Sequence, residues 1–141
     1  MFTEYRLGLL ELLSFLISEK ELAILSKFTL GLWKSLINWF FYHPSNNIYH
    51  NIFYKIWRFV LLYNEESVFR LILSKSKFLD RCVLHYKENP FSPLNGFIIL
   101  ICNTIRFTSS VQQTNKYFFD YVSSNQLFQD FIPTLMYIFN F

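Results

Sequence analysis

The chain of 141 residues is 52% hydrophobic and 21% aromatic, with 16% charged residues and a net charge of +3. This apolar content excludes disorder as the main state, because disordered chains carry too few apolar residues to form a core. Eighteen Phe against three Gly and four Pro disfavour a turn-rich β protein, and Cys82 and Cys102 are too few for a disulfide framework. A charge of +3 does not by itself indicate nucleic-acid binding. The length predicts a single domain over residues 1–141.

Membrane insertion is not expected from the distribution of polar residues. A spanning helix takes about 20 predominantly apolar residues. The longest uncharged stretches, Ser35–Tyr54 and Asn89–Ile105, are both interrupted by Asn, Ser and Pro. The apolar run at the N-terminus carries charges at Glu4, Arg6 and Glu11, which a signal peptide would not. We therefore expect no membrane span and a cytoplasmic location, with the nucleus as the alternative.

Apolar residues recur at helical spacing along the first half of the chain. The pattern predicts helices over Glu4–Ser18, Gly31–Tyr42 and about Ile48–Tyr63. In the first of these, polar positions three or four residues apart define a narrow solvent-facing stripe that includes Ser14. The second places aromatic residues, Trp39 among them, on its apolar face. The predicted polar stripe of the third helix consists of Asn51, Lys55 and Arg58.

The second half of the chain continues the helical pattern in shorter segments. Asn64–Ser67 is typical of a helix start, because its two carboxylates would lie at the positive end of the helix dipole. It leads into a short predicted helix over Val68–Leu73, and an interruption follows at Ser74–Lys77. The remaining predicted helices run from Phe78 to the Asn89-Pro90 stop, over Asn95–Phe107, over about Lys116–Ser123 and over Asn125–Phe139.

This succession of seven or eight helices predicts an all-α fold. Helices that are apolar on nearly all sides and follow one another in pairs are typical of stacked helical repeats. We therefore expect a segment of an armadillo/HEAT-like helical-repeat solenoid, and the chain is then a single α-helical domain or a piece of a longer solenoid. A closed orthogonal helical bundle is the alternative, because no repeat is visible by sequence identity.

The sequence contains little that indicates catalysis or cofactor binding. Cys82 and His85 form a Cys-x-x-His pair, but a zinc site needs three or four ligands, usually with a second close pair. We expect Cys82 in the core and His85 on the surface, with no metal, no cofactor and no enzymatic activity. Lys75, Lys77 and Arg81 form a small basic cluster, which is typical of a solvated helix face. A module that binds another protein or a nucleic acid through this face is the alternative function.

The segment with the most specific character is the corner between the second and third predicted helices. Pro44 disfavours helix at His43, and the two amides Asn46 and Asn47 follow it directly. One of these amides can cap the next helix, and the other is left to bind the backbone of a neighbouring loop. Two interpretations follow, a capped turn between helices or a polar corner on which a partner docks.

Four blocks of the chain, in order, resemble the SAPS-domain family, the regulatory subunits associated with protein phosphatase 6. The corner matches that family's F-F-x-x-P-x-N-N-x-h-H signature, where h is hydrophobic. An upstream block is similar to the helix R-x-x-x-x-E-h-h-x-x-L, and a downstream block to G-h-h-x-x-h-x-N-x-h. The four blocks are Arg6–Leu16, Phe40–His50, Phe69–Leu84 and Asn95–Ile105. The family domain is several times longer, and its fourth block is usually more polar and basic than the one here.

This resemblance implies an α-helical scaffold that binds a phosphatase catalytic subunit and performs no catalysis itself. The implied partner is a serine/threonine phosphatase catalytic subunit of the protein phosphatase 6 type, and nucleic acid is not expected as a partner. The matched corner residues Asn46, Asn47 and His50 are the candidate partner-binding residues.

Overall fold

The computed structural model describes residues 4–19, 22–111 and 114–139, and these residues contain helices and no strand. The all-α prediction is confirmed. The chain divides into two compact units, a first unit over Met1–Ser76 and a second unit over Lys77–Phe141. The single domain expected over residues 1–141 stays a prediction. The α-helices are α1 (Glu4–Glu19), α2 (Leu30–Tyr42), α3 (Asn47–Tyr63), α4 (Glu66–Phe69), α5 (Phe78–Glu88), α6 (Asn95–Ser109), α7 (Lys116–Ser124) and α8 (Gln126–Phe139).

Helix α3 is the centre of the first unit. It packs against α1, α2 and a short 3₁₀ helix, Leu22–Lys27. Asn51, Lys55 and Arg58 are exposed on α3, which confirms its predicted polar stripe. The opposite face is rich in buried aromatic side chains, and the removal of their apolar area from water stabilises this unit. The largest fully buried side chains of the first unit are Trp33, Trp57, Tyr49, Phe40 and Phe69.

The faces of α1 and α2 differ from the sequence prediction at two positions. Ser14 was expected on the polar stripe of α1 but is only 4% exposed, while the neighbouring Phe15 faces solvent. Trp39 was expected in the core of α2 but is half-buried. Its ring lies 4.9 Å from the guanidinium carbon of Arg6, a cation–π distance. Polarity alone therefore did not predict the burial of either residue.

The 3₁₀ helix between α1 and α2 had no counterpart in the sequence prediction. Leu25 and Phe28 are buried at this connection, and Thr29 then starts α2. The Thr29 hydroxyl accepts a hydrogen bond from the Leu32 N–H at 3.1 Å, as expected for an N-cap.

The predicted interruption at Ser74–Lys77 is narrower in the structure. The four residues of α4 continue directly into a π-helical turn, Arg70–Lys75. Its i→i−5 pattern is visible in the Ser76 N–H, which donates to the Leu71 carbonyl at 3.1 Å. Helical geometry ends at Lys77, which has a left-handed φ of 56°.

Over the part of the second unit that the structure describes, the fold consists of four helices. Helix α5 packs against α6 and α8, α6 also packs against α7 and α8, and α7 packs against α8. The break predicted between a helix ending at Ser123 and one starting at Asn125 lies at Asn125 in the structure. The Asn125 side chain accepts from the Phe128 N–H at 2.9 Å and starts α8. The same side chain donates to an Asp80 carboxylate oxygen at 2.8 Å, which ties α5 to this joint. Fully buried large side chains of the second unit are Phe78, Phe118, Phe128 and Phe131.

Throughout the described ranges, no helix combines the length and the apolar character that crossing a bilayer requires. The arrangement of the helices as repeats stays a prediction.

Candidate functional site: the corner between helices α2 and α3

The corner is built around a carbonyl group that a proline leaves without its helical partner. In a continuing helix the Phe40 carbonyl would accept from the N–H of residue 44, but residue 44 is Pro and has no N–H. Helix α2 accordingly makes its last bond from the His43 N–H to the Trp39 carbonyl at 3.3 Å. The His50 side chain supplies the missing donor, with Nε2 3.0 Å from the Phe40 oxygen.

A second side chain of α3 reaches α2 beside His50. The Tyr49 hydroxyl donates to the Leu36 carbonyl, one turn before the carbonyl that His50 contacts. Tyr49 and His50 are both fully buried. The Phe40 ring packs edge-on against the His50 ring, with centroids 5.0 Å apart. Buried hydrogen bonds and aromatic packing therefore fix the angle at which α3 leaves α2.

Asn46 performs the capping role that the sequence predicted for one of the two amides. Its side-chain oxygen accepts from the Tyr49 N–H at 3.1 Å, and α3 begins at the next residue. Asn47 lies in the first helical turn, exposed to solvent. Of the three candidate residues, His50 is buried inside the first unit, Asn46 is half-buried as the cap, and Asn47 alone is exposed.

The exposed part of the corner consists mainly of residues that the sequence analysis did not single out. Tyr42 at the end of α2 is 71% exposed, and Ile48 in the first turn of α3 is 57% exposed. Ser45 and Asn47 are exposed between them. We call Tyr42, Ser45, Asn47 and Ile48 the corner surface. The sequence signal for it was the presence of two large apolar residues beside a proline turn, where the helix periodicity no longer assigns a face.

The electrostatics of the corner favour a neutral His50. Burial lowers the pKa of His50 and the nearby His43 lowers it further, while the hydrogen bond to the Phe40 carbonyl acts in the opposite direction. Burial raises the pKa of Tyr49 far above its ordinary value, so its hydroxyl stays protonated as a donor. Both groups hold the backbone, and the chemistry left to the corner surface is apolar contact and amide hydrogen bonding.

The connection between α5 and α6 forms a second proline turn. The Ser92 N–H donates to the Asn89 carbonyl at 3.1 Å and closes a β-turn around Pro90 and Phe91. Phe91 is 97% exposed at its tip. His85, expected on the surface, is half-buried, and its Nε2 lies 2.9 Å from the Ser92 hydroxyl oxygen.

A shallow groove of about 330 Å³ runs between α1 and α3 in the first unit. The Ser14 hydroxyl at its floor is buried without a hydrogen-bond partner among the described residues. The groove is lined by Glu11, Ser14, Phe15, Asn51, Ile52 and Lys55.

Cys82 and Cys102 lie together in the core of the second unit. Both are fully buried free thiols, which confirms the core position predicted for Cys82. Burial, together with a hydrogen bond to the Cys102 thiol, raises the pKa of Cys82 well above its ordinary value. A thiol in this state is a poor nucleophile. Among the described residues, no three His, Cys, Asp or Glu side chains come together as a metal site would require.

The basic cluster is distributed over the end of one unit and the start of the next. Lys75 is exposed at the end of the π-helical turn, and Lys77 is exposed just before α5. Arg81 lies one turn after Lys77 and is half-buried.

No family model, curated protein or solved structure matches this chain. The resemblance to the SAPS-domain family stays a prediction from the four sequence blocks.

Proposed function

We propose that the chain is a non-enzymatic scaffold subunit that binds a partner protein through the corner surface. One observation carries the proposal: two large apolar side chains, Tyr42 and Ile48, are exposed on the corner. The backbone of this corner is held by hydrogen bonds from the buried side chains of Tyr49 and His50. An exposed aromatic side chain on a rigid support is an effective binding hot spot, because little conformational freedom is lost on association.

The proposed partner is a serine/threonine phosphatase catalytic subunit of the protein phosphatase 6 type. Its support is the order of the four SAPS-like blocks, of which the corner is the most specific. The role of the corner residues is divided in this proposal. Asn46 and His50 hold the corner in shape, and Tyr42, Asn47 and Ile48 make the contact. A cytoplasmic location, with the nucleus as the alternative, belongs to the same proposal.

We also propose that each unit contributes helical hairpins to an armadillo/HEAT-like arrangement. In the first unit α2 packs on α3 across the corner, and in the second unit α5 packs on α6 and α7 on α8. Successive helices joined by short turns and packed on each other are the building blocks of such repeats. The exposed corners between paired helices are then natural positions for partner contacts.

The test is co-purification of the tagged full chain with a protein phosphatase 6 catalytic subunit, followed by a double substitution in the corner surface. The variant Tyr42→Ala/Ile48→Ala removes the exposed apolar area and leaves the buried supports intact. We expect it to lower the amount of recovered phosphatase about tenfold or more, since truncating a hot-spot pair has effects of this order. Leu62→Ala is the matched control, because Leu62 is 70% exposed on α3 outside the corner surface.

Two results would contradict different parts of this proposal. Failure of the unmodified chain to recover any phosphatase catalytic subunit would remove the phosphatase as the partner. Equal recovery by the unmodified chain and the double variant would remove the corner surface as the contact. Circular dichroism of each variant verifies that its helices are retained.

A further inference from the structure

The two cysteines of the chain, Cys82 and Cys102, lie on successive helices of the second unit. Both are fully buried free thiols, and α5 packs against α6. The function proposed for the corner surface uses neither of them. A pair of neighbouring thiols can undergo one reaction that a lone thiol cannot, which is the formation of a disulfide within the chain.

The topology of the second unit places the two cysteines at the same level. Cys82 lies six residues before Glu88, the last residue of α5, and Cys102 lies seven residues after Asn95, the first residue of α6. Two packed helices that are joined by a short turn are antiparallel neighbours. At about 1.5 Å per residue, both cysteines are therefore about 10 Å from the turn along their helices.

The side chains of the two cysteines meet in an apolar part of the core. The Cys82 and Cys102 thiols are joined by a hydrogen bond. A disulfide carries no charge and needs no hydrogen-bond partner, so this core can hold it without leaving a polar group unsatisfied. The buried residues one helical turn away are all apolar: Phe78 and Leu79 on α5, and Ile98 and Ile105 on α6.

We propose that Cys82 and Cys102 form an oxidative modification site, at which hydrogen peroxide joins the two thiols in a disulfide that ties α5 to α6. In the first step one sulfur is oxidised to sulfenic acid, the O–O bond of the peroxide breaks, and one water leaves. In the second step the other sulfur displaces the sulfenic hydroxyl group, the S–S bond forms, and a second water leaves. The two thiols lose two hydrogen atoms in total, and the peroxide is reduced to two waters.

The burial of the pair sets the condition for this reaction. A thiol that is buried and protonated reacts slowly, because the thiolate is the nucleophile. The oxidant therefore reaches the pair when the second unit opens locally, and the two sulfurs are brought together again as it closes. A small-molecule thiol reverses the modification, since it is oxidised to its own disulfide while the two cysteines are reduced.

The disulfide would stabilise the second unit. It closes a loop that contains the whole α5–α6 turn, and such a loop restricts the unfolded chain more than the folded one. The second unit would then open less readily under oxidising conditions than under reducing conditions. This modification goes beyond the function proposed for the corner surface and does not depend on it, because the corner surface belongs to the first unit.

The first experiment detects the disulfide in the purified full chain. One sample is reduced with dithiothreitol, a second is treated with hydrogen peroxide, and the remaining thiols of both are alkylated. We expect the peroxide-treated chain to stay a monomer, to lose the mass of two hydrogen atoms, and to take up no alkyl group. Urea below the unfolding transition should accelerate the reaction, because it raises the population of the open form.

Peptide mapping locates the bond. Trypsin cleaves after Arg81, Lys87 and Arg106, so it releases the two cysteines in separate peptides. In the peroxide-treated sample we expect the peptide Cys82–Lys87 to be joined to Glu88–Arg106. In the reduced sample we expect both peptides to be separate and alkylated.

Thermal unfolding of the same two samples measures the effect of the bond. We expect the Tm of the oxidised chain to be higher by roughly 5–15 °C, with unchanged circular dichroism before unfolding, and dithiothreitol should abolish the increase. Cys102→Ala is the matched control, because it keeps Cys82 and both methionines. Peroxide should not raise its Tm. The main comparison is of one protein in two redox states, so it does not depend on the folding of this variant.

The proposal is overturned by any of four results after peroxide treatment. These are thiols that are still alkylated, oxygen added to the cysteines in place of joined peptides, disulfides that link two chains, and an oxidised monomer whose Tm is equal to or lower than that of the reduced chain.

Discussion

Helix α2, before the α2–α3 corner, and helix α5, before the α5–α6 turn, end in nearly the same way. His43 precedes Pro44 with φ and ψ of −125° and 65°, and Asn89 precedes Pro90 with −130° and 72°. Both residues lie outside helical geometry because the ring of the following proline excludes it. In each connection a histidine ring nitrogen then contacts an oxygen atom of the corner, in the Phe40 carbonyl or in the Ser92 hydroxyl.

The two connections differ in where their support lies. The α2–α3 corner is held from inside by the fully buried Tyr49 and His50. The α5–α6 turn is held nearer the solvent, by the half-buried His85 and Ser92 and by backbone hydrogen bonds. The same loss of a hydrogen bond therefore has different energetic consequences in the two connections. At the α2–α3 corner, water is excluded and a polar group is left unsatisfied. At the α5–α6 turn, water can take the place of the lost partner.

We expect the two connections to differ most in the loss of stability that follows when the histidine of each is replaced. His50→Leu leaves the buried Phe40 carbonyl without its donor, and we expect a loss of about 1–3 kcal/mol in the free energy of unfolding. His85→Leu removes a contact at a half-buried hydroxyl, and we expect a loss of about 0.5 kcal/mol, since water can reach that hydroxyl. Urea denaturation followed by circular dichroism measures both.

A double substitution verifies the cause of the His50 effect. Pro44→Ala restores an N–H at position 44, which can then donate to the Phe40 carbonyl. We therefore expect Pro44→Ala/His50→Leu to lose less stability than the sum of the two single variants, a coupling that a double-mutant cycle detects. Simple additivity would contradict the assignment of His50 as the replacement donor.

The pH dependence of stability should reflect the same contact. Burial lowers the pKa of His50 in the folded state below its ordinary value of 6.5, so the unfolded chain takes up the proton first as pH falls. Stability from this group is complete above about pH 6.5 and decreases below it, by at most about 1.4 kcal/mol per pH unit. The contribution of His85 to the pH dependence has the same sign, because burial also lowers the pKa of His85.

His50→Gln isolates the part of the pH dependence that belongs to the corner, because glutamine keeps an N–H donor but does not titrate. Its unfolding free energy should decline less steeply between pH 6.5 and 5 than that of the unmodified chain. Parallel declines for the two proteins would contradict a buried neutral His50.

The caps of the corner provide a smaller effect. Asn46→Ala removes the N-cap of α3 and is expected to lower the unfolding free energy by about 1 kcal/mol. Asn47→Ala changes an exposed residue in the first helical turn and should leave stability nearly unchanged. Equal losses at the two positions, measured by thermal unfolding, would show that the capping role is shared between them.

The sequence predicted most of the helices because their signals are local. Apolar spacing located α2 and α3, and the prolines Pro44 and Pro90 located the ends of α2 and α5. The 3₁₀ helix Leu22–Lys27 and the π-helical turn Arg70–Lys75 were missed because neither has a distinctive period over so few residues. They form where packing against neighbouring helices decides the backbone.

The sequence predicted where the polar corner lies but not which of its side chains are buried. The sequence identified the corner through Pro44 and the paired amides, yet it placed the buried His50 among the contact residues. His50 was a candidate because it matches the SAPS-like signature, and a matched motif does not distinguish buried from exposed positions. The sequence already shows that Pro44 leaves the Phe40 carbonyl without its helical donor. It does not show which residue replaces that donor. The structure does, because His50, ten residues along the chain, contacts this carbonyl.

The smallest effect on stability is expected at the tip of the second turn. Phe91→Ala removes a side chain that is 97% exposed, so it opens no cavity and breaks no hydrogen bond of the turn. We expect the unfolding free energy to stay within about 0.5 kcal/mol of the unmodified chain, as for surface substitutions in general. A larger loss, seen as a shifted urea midpoint, would mean that the ring packs against the second unit in solution. An unchanged midpoint would mean that folding does not need an aromatic residue at position 91.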